Sequence, residues 1–281
     1  MTVLVTGGTG TTGARVADRL RADGRTVRVA SRRAANTGDA GDAVRFDWLD
    51  PSTHDAALHG VESIYLVPPI GALHPEDVML PFLERAVRAG TRRAVLLSSS
   101  QLAPGGPATG AVHAALPEVF GEWAVLRPSW FMQNFTGGHV HAESIRSAGV
   151  ITTATGGGRV GFIDADDIAA VAVRALTDPV APATDRVLTG PGVLSYDDVA
   201  ATIARVTGRP VRHRAVSADR MREHLAGSVP DGFAAMLADL DGLIAGGAED
   251  RVTDAVEQVT GRPPRSFAAF AAAHARSFAA S

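Results

Sequence analysis

The chain has 281 residues, of which 46% are hydrophobic, so it is long enough to bury a full core in one large domain or in one domain with a smaller lobe. Its 27 basic and 30 acidic side chains are interspersed and give a net charge of −3, which argues against nucleic acid or a membrane surface as a ligand. Cysteine is absent, which excludes disulfides, thiolate catalysis and cysteine-ligated metals, and we expect no metal site. Every basic residue is an arginine, so no reaction of this protein can use a lysine.

The sequence carries no sign of a membrane segment or a secretion signal. No apolar run approaches the roughly 20 residues that a membrane-spanning helix needs. The N-terminal segment lacks the basic start of a signal peptide. We therefore expect a cytoplasmic protein, and no heptad pattern indicates its oligomeric state.

Short apolar runs alternate with helical patterns along the first half of the chain. Strands are predicted at Val3–Val5, Val27–Ala30, Val44–Phe46, Ser63–Val67, Ala94–Leu97 and Ala124–Leu126. Apolar residues at helical spacing predict helices over Gly13–Asp23 and from about Pro75 to Ala89. Strands that alternate with helices predict βαβ units and a parallel sheet with right-handed crossovers. The expected fold class is α/β, a Rossmann-type doubly wound parallel sheet with a smaller, mostly helical C-terminal substrate lobe.

The second half of the chain is less regular. Phe162–Leu176 predicts the end of a strand, a turn and a helix, and Ser195–Val206 predicts a helix that Ser195 caps with Asp198 as its capping-box partner. We assign residues 1–150 to the Rossmann-type domain that contains the parallel sheet, with residues 160–190 returning to that sheet. Residues 191–281 form the predicted C-terminal substrate lobe.

A glycine-rich segment lies between the first predicted strand and the first predicted helix. It reads Thr6-Gly7-Gly8-Thr9-Gly10-Thr11-Thr12-Gly13, with Gly7, Gly10 and Gly13 at three-residue spacing. A tight turn, a close approach of backbone to a pyrophosphate and close packing of helix on strand each favour glycine. The N-terminus of the helix then offers unpaired N–H groups and partial positive charge to the phosphates. This segment predicts a dinucleotide site.

The end of the second predicted strand distinguishes between the two nicotinamide nucleotides. An NAD site carries an acidic residue there that binds the ribose 2′-hydroxyl. This chain has Ser31-Arg32-Arg33 instead, and no acidic residue lies between Asp23 and Asp39. Because arginine binds phosphate through two parallel N–H groups, this composition favours the 2′-phosphate of NADP(H). In Phe46-Asp47-Trp48, which closes the third strand, Asp47 is a candidate acceptor for the adenine amino group, and a plain turn is the alternative.

Taken together, these residues resemble a known family. The glycine segment, Ser31-Arg32, Phe46-Asp47, Ser98–Ser100 and Leu126-Arg127-Pro128 followed by Trp130-Phe131-Met132 and Asn134-Phe135 are similar to atypical short-chain dehydrogenases of the NmrA-like group. Within that group the chain resembles most the branch that includes the agroclavine dehydrogenases of ergot-alkaloid biosynthesis and many actinobacterial paralogues. The resemblance is strong to about residue 175 and looser beyond it.

The resemblance also implies which other residues would contact the cofactor and the substrate. Val67-Pro68-Pro69 with Ser98 and Ser99 would line the path from adenosine to nicotinamide. Pro128, Trp130 and Phe131 would lie near the nicotinamide, and Asn134 with the C-terminal lobe would shape the substrate pocket. Trp48, which follows Asp47 in the sequence, is also expected to contact the cofactor.

The proton-donating pair of most short-chain dehydrogenases, Tyr-x-x-x-Lys, is absent. Tyr65 lies in the fourth predicted strand and Tyr196 in the C-terminal lobe, so neither tyrosine follows the serine cluster at the expected short distance. The chain also has no lysine. In the segment Gly105–Gly121 that would hold the pair, His113 and Glu118 are the candidates for proton transfer. A histidine titrates near neutrality and could donate a proton, whereas a structural histidine is the alternative.

Other side chains are candidates for contact with the substrate. Ser99 could polarise a substrate oxygen, and His74, in the loop after Pro69, could face the pocket. Aromatic residues that include Trp130, Phe131 and Phe162 could line an apolar pocket, although packing in the core would explain them equally well.

Three interpretations of the incomplete site remain open. In the first, NADPH delivers hydride to an electrophile that is already activated, such as an iminium ion, a quinone or an enone, which needs little acid assistance. In the second, the protein is a non-catalytic NADP(H) sensor, as the NmrA-like resemblance allows. The third is a redox-silent cyclase or isomerase. The first predicts a reductase of secondary metabolism whose substrate is a small aromatic or heterocyclic molecule.

Overall fold

The computed structural model describes residues 1–33, 43–227, 229 and 231–279. The chain divides into two compact units, the first formed by Met1–Pro128 with Ile168–Val187 and the second by Ser129–Asp167 with Leu188–Ser281. Residues 129–150 therefore pack within the second unit, whereas the sequence interpretation placed them in the nucleotide-binding domain. The domain boundaries themselves stay a prediction.

The secondary structure alternates strands and helices. The strands are β1 (Thr2–Val5), β2 (Thr26–Ser31), β3 (Ala43–Arg45), β4 (Ser63–Leu66), β5 (Arg93–Leu97), β6 (Glu122–Pro128), β7 (Val150–Thr153), β8 (Arg159–Val160), β9 (Thr184–Leu188), β10 (Leu194–Ser195) and β11 (Arg212–Ala215). The helices are α1 (Thr11–Ala22), α2 (His54–Leu58), α3 (Glu76–Arg88), α4 (Thr109–Val119), α5 (Val140–Ala148), α6 (Ala165–Thr177), α7 (Tyr196–Thr207), α8 (Ala218–Leu225), α9 (Asp231–Ala245), α10 (Ala255–Thr260) and α11 (Phe267–Ala273). Three short 3₁₀ helices complete the described part: Pro51–Thr53, Met132–Phe135 and Ala275–Phe278.

The first unit is built on a sheet that, in the described part of the chain, has seven strands in the order β3-β2-β1-β4-β5-β6-β9. Neighbouring strands from β3 to β6 pair in parallel, with Val5 opposite Val29 and Tyr65, and Leu97 opposite Leu126. The direction of chain progression reverses between β1 and β4. In open α/β sheets the crevice outside the carboxyl ends of the strands at this reversal binds ligands.

The central strands of the first unit, β1, β4 and β5, are almost wholly buried, as is typical of a parallel sheet covered by helices. All four residues of β4, Ser63–Leu66, are buried. Ile64, Leu96 and Val125 on successive strands pack in one hydrophobic cluster with Phe46 and Phe82. Arg93 is also buried, and it links β5 to the end of α6 by donating hydrogen bonds from Nη1 to the carbonyl oxygens of Ala175, Leu176 and Asp178.

The second unit has two small sheets and a helical remainder. β7 pairs with β11 in parallel, and β8 pairs with β10 antiparallel. Its core includes an aromatic cluster in which Phe135 lies within about 6 Å, centroid to centroid, of Phe162, Tyr196 and Phe267. Within the described residues, no helix of either unit is both long enough and apolar enough to cross a membrane.

Most predicted elements of the first unit agree with the structure to within one or two residues. The capping box of α7 is present as predicted, since Ser195 Oγ accepts from the Asp198 N–H and the Asp198 carboxylate accepts from the Ser195 N–H. The predicted α/β Rossmann-type fold with a helical C-terminal region is confirmed. The strands β7, β8, β10 and β11 were missed, and β9 was expected only as a return of residues 160–190 to the sheet. The sixth strand extends through Pro128, although Pro128 was expected to follow it.

Candidate nucleotide and substrate site

The glycine segment forms a turn that has no room for side chains at two of its glycines. Gly7 has φ of +58°, in the left-handed region, and a Cβ atom at Gly13 would lie 2.3 Å from the carbonyl oxygen of Gly7. Gly10 caps α1 without a side-chain hydrogen bond, and the first turn of α1 holds no acidic residue. The N-terminus of α1 therefore keeps N–H donors and partial positive charge for an anionic ligand.

Thr6 fixes this turn to the neighbouring strand. Its buried hydroxyl donates to the carbonyl oxygens of Tyr65 and Val67 and accepts from the Val67 N–H at 2.7 Å. Trp48, also buried, donates its indole N–H to the same Val67 carbonyl at 3.1 Å. Val67, which follows β4, is thus hydrogen-bonded to Thr6 after β1 and to Trp48 after β3. The sequence predicts that all three of these loops bind the cofactor. Pro68 and Pro69 follow it and are half-buried.

Arg32 and Arg33 lie just beyond the end of β2, with both side chains exposed. Within the described residues, neither guanidinium has a hydrogen-bond or ion-pair partner; residues 34–42 lie outside that part of the chain. Ser31 is the last residue of β2, and its carbonyl oxygen accepts from the Phe46 N–H. Two unpaired guanidiniums beside the glycine turn suit a phosphate group.

Asp47 is held in a turn after β3. Its Oδ1 accepts from the Leu49 N–H at 3.0 Å, and its carbonyl oxygen lies 3.0 Å from Nε2 of His54. One carboxylate oxygen is thus engaged in the turn, so the plain-turn alternative accounts for part of the conformation of Asp47. The role of Asp47 toward adenine stays a prediction.

The serine cluster follows β5 at the carboxyl edge of the sheet. Ser98 and Ser100 donate their N–H groups to the carbonyl oxygens of Leu126 and Pro128, so the cluster is an extension of the β5–β6 pairing. Ser98 and Ser99 are half-buried, whereas Ser100 is buried. Ser99 Oγ accepts a long hydrogen bond, 3.5 Å, from the Gln101 N–H.

His113 lies on α4 with only 4% of its surface exposed, and within the described residues its Nδ1 has no hydrogen-bond partner. Burial lowers the pKa of His113; nearby Asp185 raises it and Arg127 lowers it by smaller amounts. Burial therefore disfavours the charged form of the His113 ring. Its catalytic role stays a prediction.

The acidic side chain and the other histidine considered for catalysis or substrate contact are exposed, and the two tyrosines of the chain are buried. Glu118 is exposed near the end of α4, and His74 is exposed with its Nδ1 3.2 Å from Glu76 Oε1. Tyr65 and Tyr196 are both buried, and burial raises the pKa of each phenol. Neither phenol has the lowered pKa that a proton-donating tyrosine needs.

The predicted substrate residues that follow β6 belong to the second unit. The N–H of Met132 donates to Ile163, and the N–H of Ile163 donates to Trp130, which fixes the segment beside Phe162. Trp130, Phe131 and Asn134 are half-buried, and the side-chain amide of Asn134 has no partner within the described residues. Phe162 is buried in the aromatic cluster, so packing accounts for its position.

Two polar side chains that the sequence interpretation did not select form hydrogen bonds, Thr109 within the first unit and Gln133 within the second. Thr109 Oγ1 lies 2.8 Å from Ser98 Oγ. Gln133 Nε2 donates to Asp164 Oδ1 at 2.7 Å, and its Oε1 accepts from the Ala165 N–H. Thr109 stands four residues before His113, on the same helical face, and that spacing is the signal that could have identified it.

The residues of the first unit fit a dinucleotide. The glycine turn brings the end of β1 and the start of α1 together without side chains between them, and the first turn of α1 holds no acidic residue. Arg32 and Arg33, without a described partner, follow β2, where the ribose of a dinucleotide would bind. Within the described residues, no group of three or more histidine, aspartate or glutamate side chains could hold a metal ion.

Comparison with known proteins agrees with this fit. The model of the NAD dependent epimerase/dehydratase family matches residues 3–122. The chain is 49% identical to an uncharacterized oxidoreductase, YesF, of Bacillus subtilis, over 97% of this chain and 95% of that protein. It is 39% identical to the agroclavine dehydrogenase of Claviceps fusiformis, with 96% of each chain covered. It is 34% identical to the NAD(P)H azoreductase of Xenophilus azovorans, with 99% of each chain covered.

A solved structure confirms the fold. The NADPH-dependent quinone oxidoreductase of Escherichia coli in complex with NADPH matches with a TM-score of 0.81 and 21% identity, over 96% of this chain and 99% of that chain. At this identity the match concerns the fold alone.

Proposed function

We propose that this chain, which belongs to the NAD(P)-binding atypical short-chain dehydrogenase/reductase family, is an NADPH-dependent reductase that transfers hydride to a pre-activated electrophile. Family membership makes the chain an NAD(P)-dependent oxidoreductase. The choice of NADPH over NADH rests on one observation. Arg32 and Arg33, unpartnered in the described part of the chain, occupy the position at which an NAD site would carry an acidic residue.

The proposed electrophile is an iminium ion, a quinone or an enone, because among the described residues of the first unit neither His113 nor Tyr65 is a strong proton donor for a substrate. Burial lowers the pKa of His113 and so disfavours its charged form, and the chain has no lysine. An electrophile that is already polarised needs orientation and exclusion of water more than it needs a proton.

The proposed substrate is a small aromatic or heterocyclic molecule of secondary metabolism. The half-buried Trp130 and Phe131 supply apolar surface, and the unpartnered Asn134 amide supplies a polar contact. Relatives named agroclavine dehydrogenase and NAD(P)H azoreductase support this class of substrate. We also propose that, within its family, the chain belongs to the NmrA-like group.

Ser99 and His113 are the proposed catalytic residues. Ser99 Oγ is half-buried and weakly engaged, so it is available to a substrate oxygen. His113 is the proposed source of a hydrogen bond from a neutral ring. Turnover that is unaltered in His113→Ala would remove His113 from the mechanism.

The purified protein tests the proposal directly. NADPH and NADH are titrated by fluorescence, and NADPH oxidation is then followed with a naphthoquinone, an azo dye and a cyclic iminium ion. We expect tighter binding of NADPH than of NADH and oxidation with at least one of the three acceptors. Tight NADPH binding without consumption across the panel would contradict the reductase and favour an NADP(H) sensor or a redox-silent cyclase.

A further inference from the structure

The connection between β5 and α4, residues 98–108, leaves the sheet at Gln101. Ser100 still donates its N–H to the carbonyl oxygen of Pro128 on β6, as a residue of a paired strand does. Gln101 is the next residue and begins the part of the connection that runs to α4. It therefore lies at the carboxyl edge of the sheet, where open α/β sheets bind their ligands.

The side-chain amide of Gln101 makes no hydrogen bond within the described residues. Its oxygen and its nitrogen both have essentially no accessible surface, so solvent does not reach either atom. A primary amide offers two N–H donors and two lone pairs, and it is unfavourable to bury these groups without partners. The observed conformation of the connection therefore carries an uncompensated cost at Gln101.

A second cost lies at the other end of the same connection. The carbonyl oxygen of Pro107 accepts from the N–H of Gly110 at 3.0 Å, which closes a four-residue turn. Ala108 is the first central residue of this turn, with φ of 50° and ψ of −123°. This is the geometry of a type II′ turn, in which glycine is favoured at that position. The Cβ atom of Ala108 therefore makes the turn strained.

Contacts within the connection hold it in this conformation despite both costs. The N–H of Gly105 donates to the carbonyl oxygen of Gly110 at 2.8 Å, across the turn. A Cβ atom at Gly110 would lie 2.6 Å from the carbonyl oxygen of Ala103, so the connection packs closely on the first turn of α4. Strain that surrounding contacts impose is typical of ligand clamps and switch regions.

The order of the strands indicates which part of a dinucleotide reaches the connection. Arg32, after β2, suits the 2′-phosphate of the adenosine ribose, and the glycine turn after β1 suits the pyrophosphate. In the strand order β3-β2-β1-β4-β5, the nicotinamide half would come next, at the carboxyl ends of β4 and β5. Nicotinamide carries a carboxamide, whose donor and acceptor match the acceptor and donor of the Gln101 amide.

We propose that the nicotinamide half of the cofactor changes the conformation of the β5–α4 connection, an inference that rests on the proposed NADPH-dependent function. In the bound state the Gln101 amide leaves its enclosed position and pairs with the nicotinamide carboxamide, and Ala108 takes a negative φ. Gln101 is thus a binding residue for the cofactor. Relief of the two costs offsets the loss of packing, so the connection changes conformation when the nicotinamide is present.

Replacement of Ala108 by glycine tests the change of conformation. Ala108→Gly removes the strain from the unbound conformation alone, so it should raise the midpoint of thermal unfolding by about 1 to 3 °C. Because the unbound conformation is then favoured, the Kd for NADP⁺ should rise about tenfold. The Kd for 2′,5′-ADP, which lacks the nicotinamide half, should stay unchanged. Isothermal titration calorimetry measures both constants.

Ala183→Gly is the matched control for Ala108→Gly. Within the described residues, Ala183, which precedes β9, is the other residue besides glycine that has a positive φ, of 45°. Its replacement should also raise the unfolding midpoint, and it should leave the Kd values for NADP⁺ and 2′,5′-ADP unchanged.

An analogue of NADP⁺ tests the contact of Gln101 with the carboxamide. In nicotinic acid adenine dinucleotide phosphate a carboxylate replaces the carboxamide, and a carboxylate cannot donate to the oxygen of the Gln101 amide. The wild-type protein should therefore bind NADP⁺ about tenfold more tightly than this analogue. Gln101→Leu should abolish that preference.

The possible failures are distinguishable. An unchanged Kd for NADP⁺ in Ala108→Gly, an unfolding midpoint that does not rise, or equal weakening of NADP⁺ and 2′,5′-ADP would each overturn the change of conformation. A preference for the carboxamide that survives in Gln101→Leu would overturn the role of Gln101. These results would leave the proposed reductase intact. A wild-type protein that binds neither NADP⁺ nor 2′,5′-ADP would refute the proposed cofactor, and the present inference with it.

Discussion

At the scale of single residues, charge and its compensation distinguish the candidate nucleotide site from the surrounding surface. Many exposed arginines of this chain have acidic partners, such as Arg85 with Asp55 and Arg92 with Glu62. Arg32 and Arg33 have none within the described residues. Because a surface ion pair adds little to stability, unpaired arginines are tolerated, and here they remain available to a ligand.

Replacement of Arg32 tests the choice of nucleotide. A charge-assisted bond to phosphate is worth about 1.5 to 3 kcal/mol, so Arg32→Ala should raise the Kd for NADPH roughly ten- to a hundredfold. The Kd for NADH should change little, because NADH lacks the 2′-phosphate. Isothermal titration calorimetry measures both constants.

The control for Arg32→Ala is another exposed arginine close in sequence. Arg25, in the turn before β2, should be replaceable by alanine without a change in either constant. An equal loss of NADPH and NADH affinity in Arg32→Ala would refute the role of Arg32 at the 2′-phosphate.

At the scale of elements, the junction of β1 and α1 is fixed by close contacts between backbone atoms. A Cβ atom at Gly13 would come within 2.3 Å of the Gly7 carbonyl oxygen and within 2.9 Å of the Gly8 Cα atom. No flexible side chain can move aside to relieve these contacts. The start of α1 can therefore approach the end of β1 only because residue 13 is glycine.

Gly13→Ala should shift α1 away from the turn and weaken both folding and nucleotide binding. We expect a loss of about 1 to 3 kcal/mol in the free energy of unfolding, measured by urea denaturation, together with a large rise in the Kd for NADPH. Gly121→Ala is the matched control, because a Cβ atom at Gly121 would meet no atom within 4 Å. Wild-type stability and affinity in Gly13→Ala would show that the turn can relax.

At the scale of the whole molecule, the sequence predicted the first unit better than the second for a physical reason. The central parallel strands of the first unit are buried on both faces, so they consist mainly of apolar residues, such as Val3–Val5 in β1 and Ala94–Leu97 in β5. β11, with the sequence Arg-His-Arg-Ala, is largely exposed and has no such run. Its pairing with β7 joins residues about 60 positions apart, such as Arg212 and Val150, which no local pattern indicates.

The residues of the candidate site also differ in whether a local sequence pattern could predict them. The glycine turn and Arg32 were predictable because each depends on a local pattern next to a strand. The contact of Ser98 with Thr109 depends on how α4 packs against the end of β5, and the pKa of His113 depends on burial. Neither packing nor burial at one position can be read from composition or spacing.

The second unit also contains a buried histidine and a buried aspartate whose titrations oppose each other. Burial lowers the pKa of His141 to about 3, from 6.5, with smaller contributions from His139, His224 and His213. Burial raises the pKa of Asp241 to about 6, from 3.8, although its carboxylate accepts from the Ala154 N–H. Between about pH 6.5 and 3, His141 is therefore protonated in the unfolded chain and neutral in the folded protein. Between about pH 6 and 4, Asp241 is protonated in the folded protein and ionised in the unfolded chain.

These opposing shifts predict the pH dependence of stability. Between about pH 6.5 and 3, His141 makes the free energy of unfolding fall on acidification by up to about 1.4 kcal/mol per pH unit. Between about pH 6 and 4, Asp241 makes it rise on acidification with a similar slope, so the two largely cancel there. Asp241→Asn removes the compensation and should steepen the loss of stability between pH 6 and 4. His141→Gln should instead leave a protein that gains stability on acidification in that range. Urea denaturation at half-unit pH intervals measures both slopes, and parallel pH profiles for the two variants and the wild-type protein would contradict the assignment of these protons to His141 and Asp241.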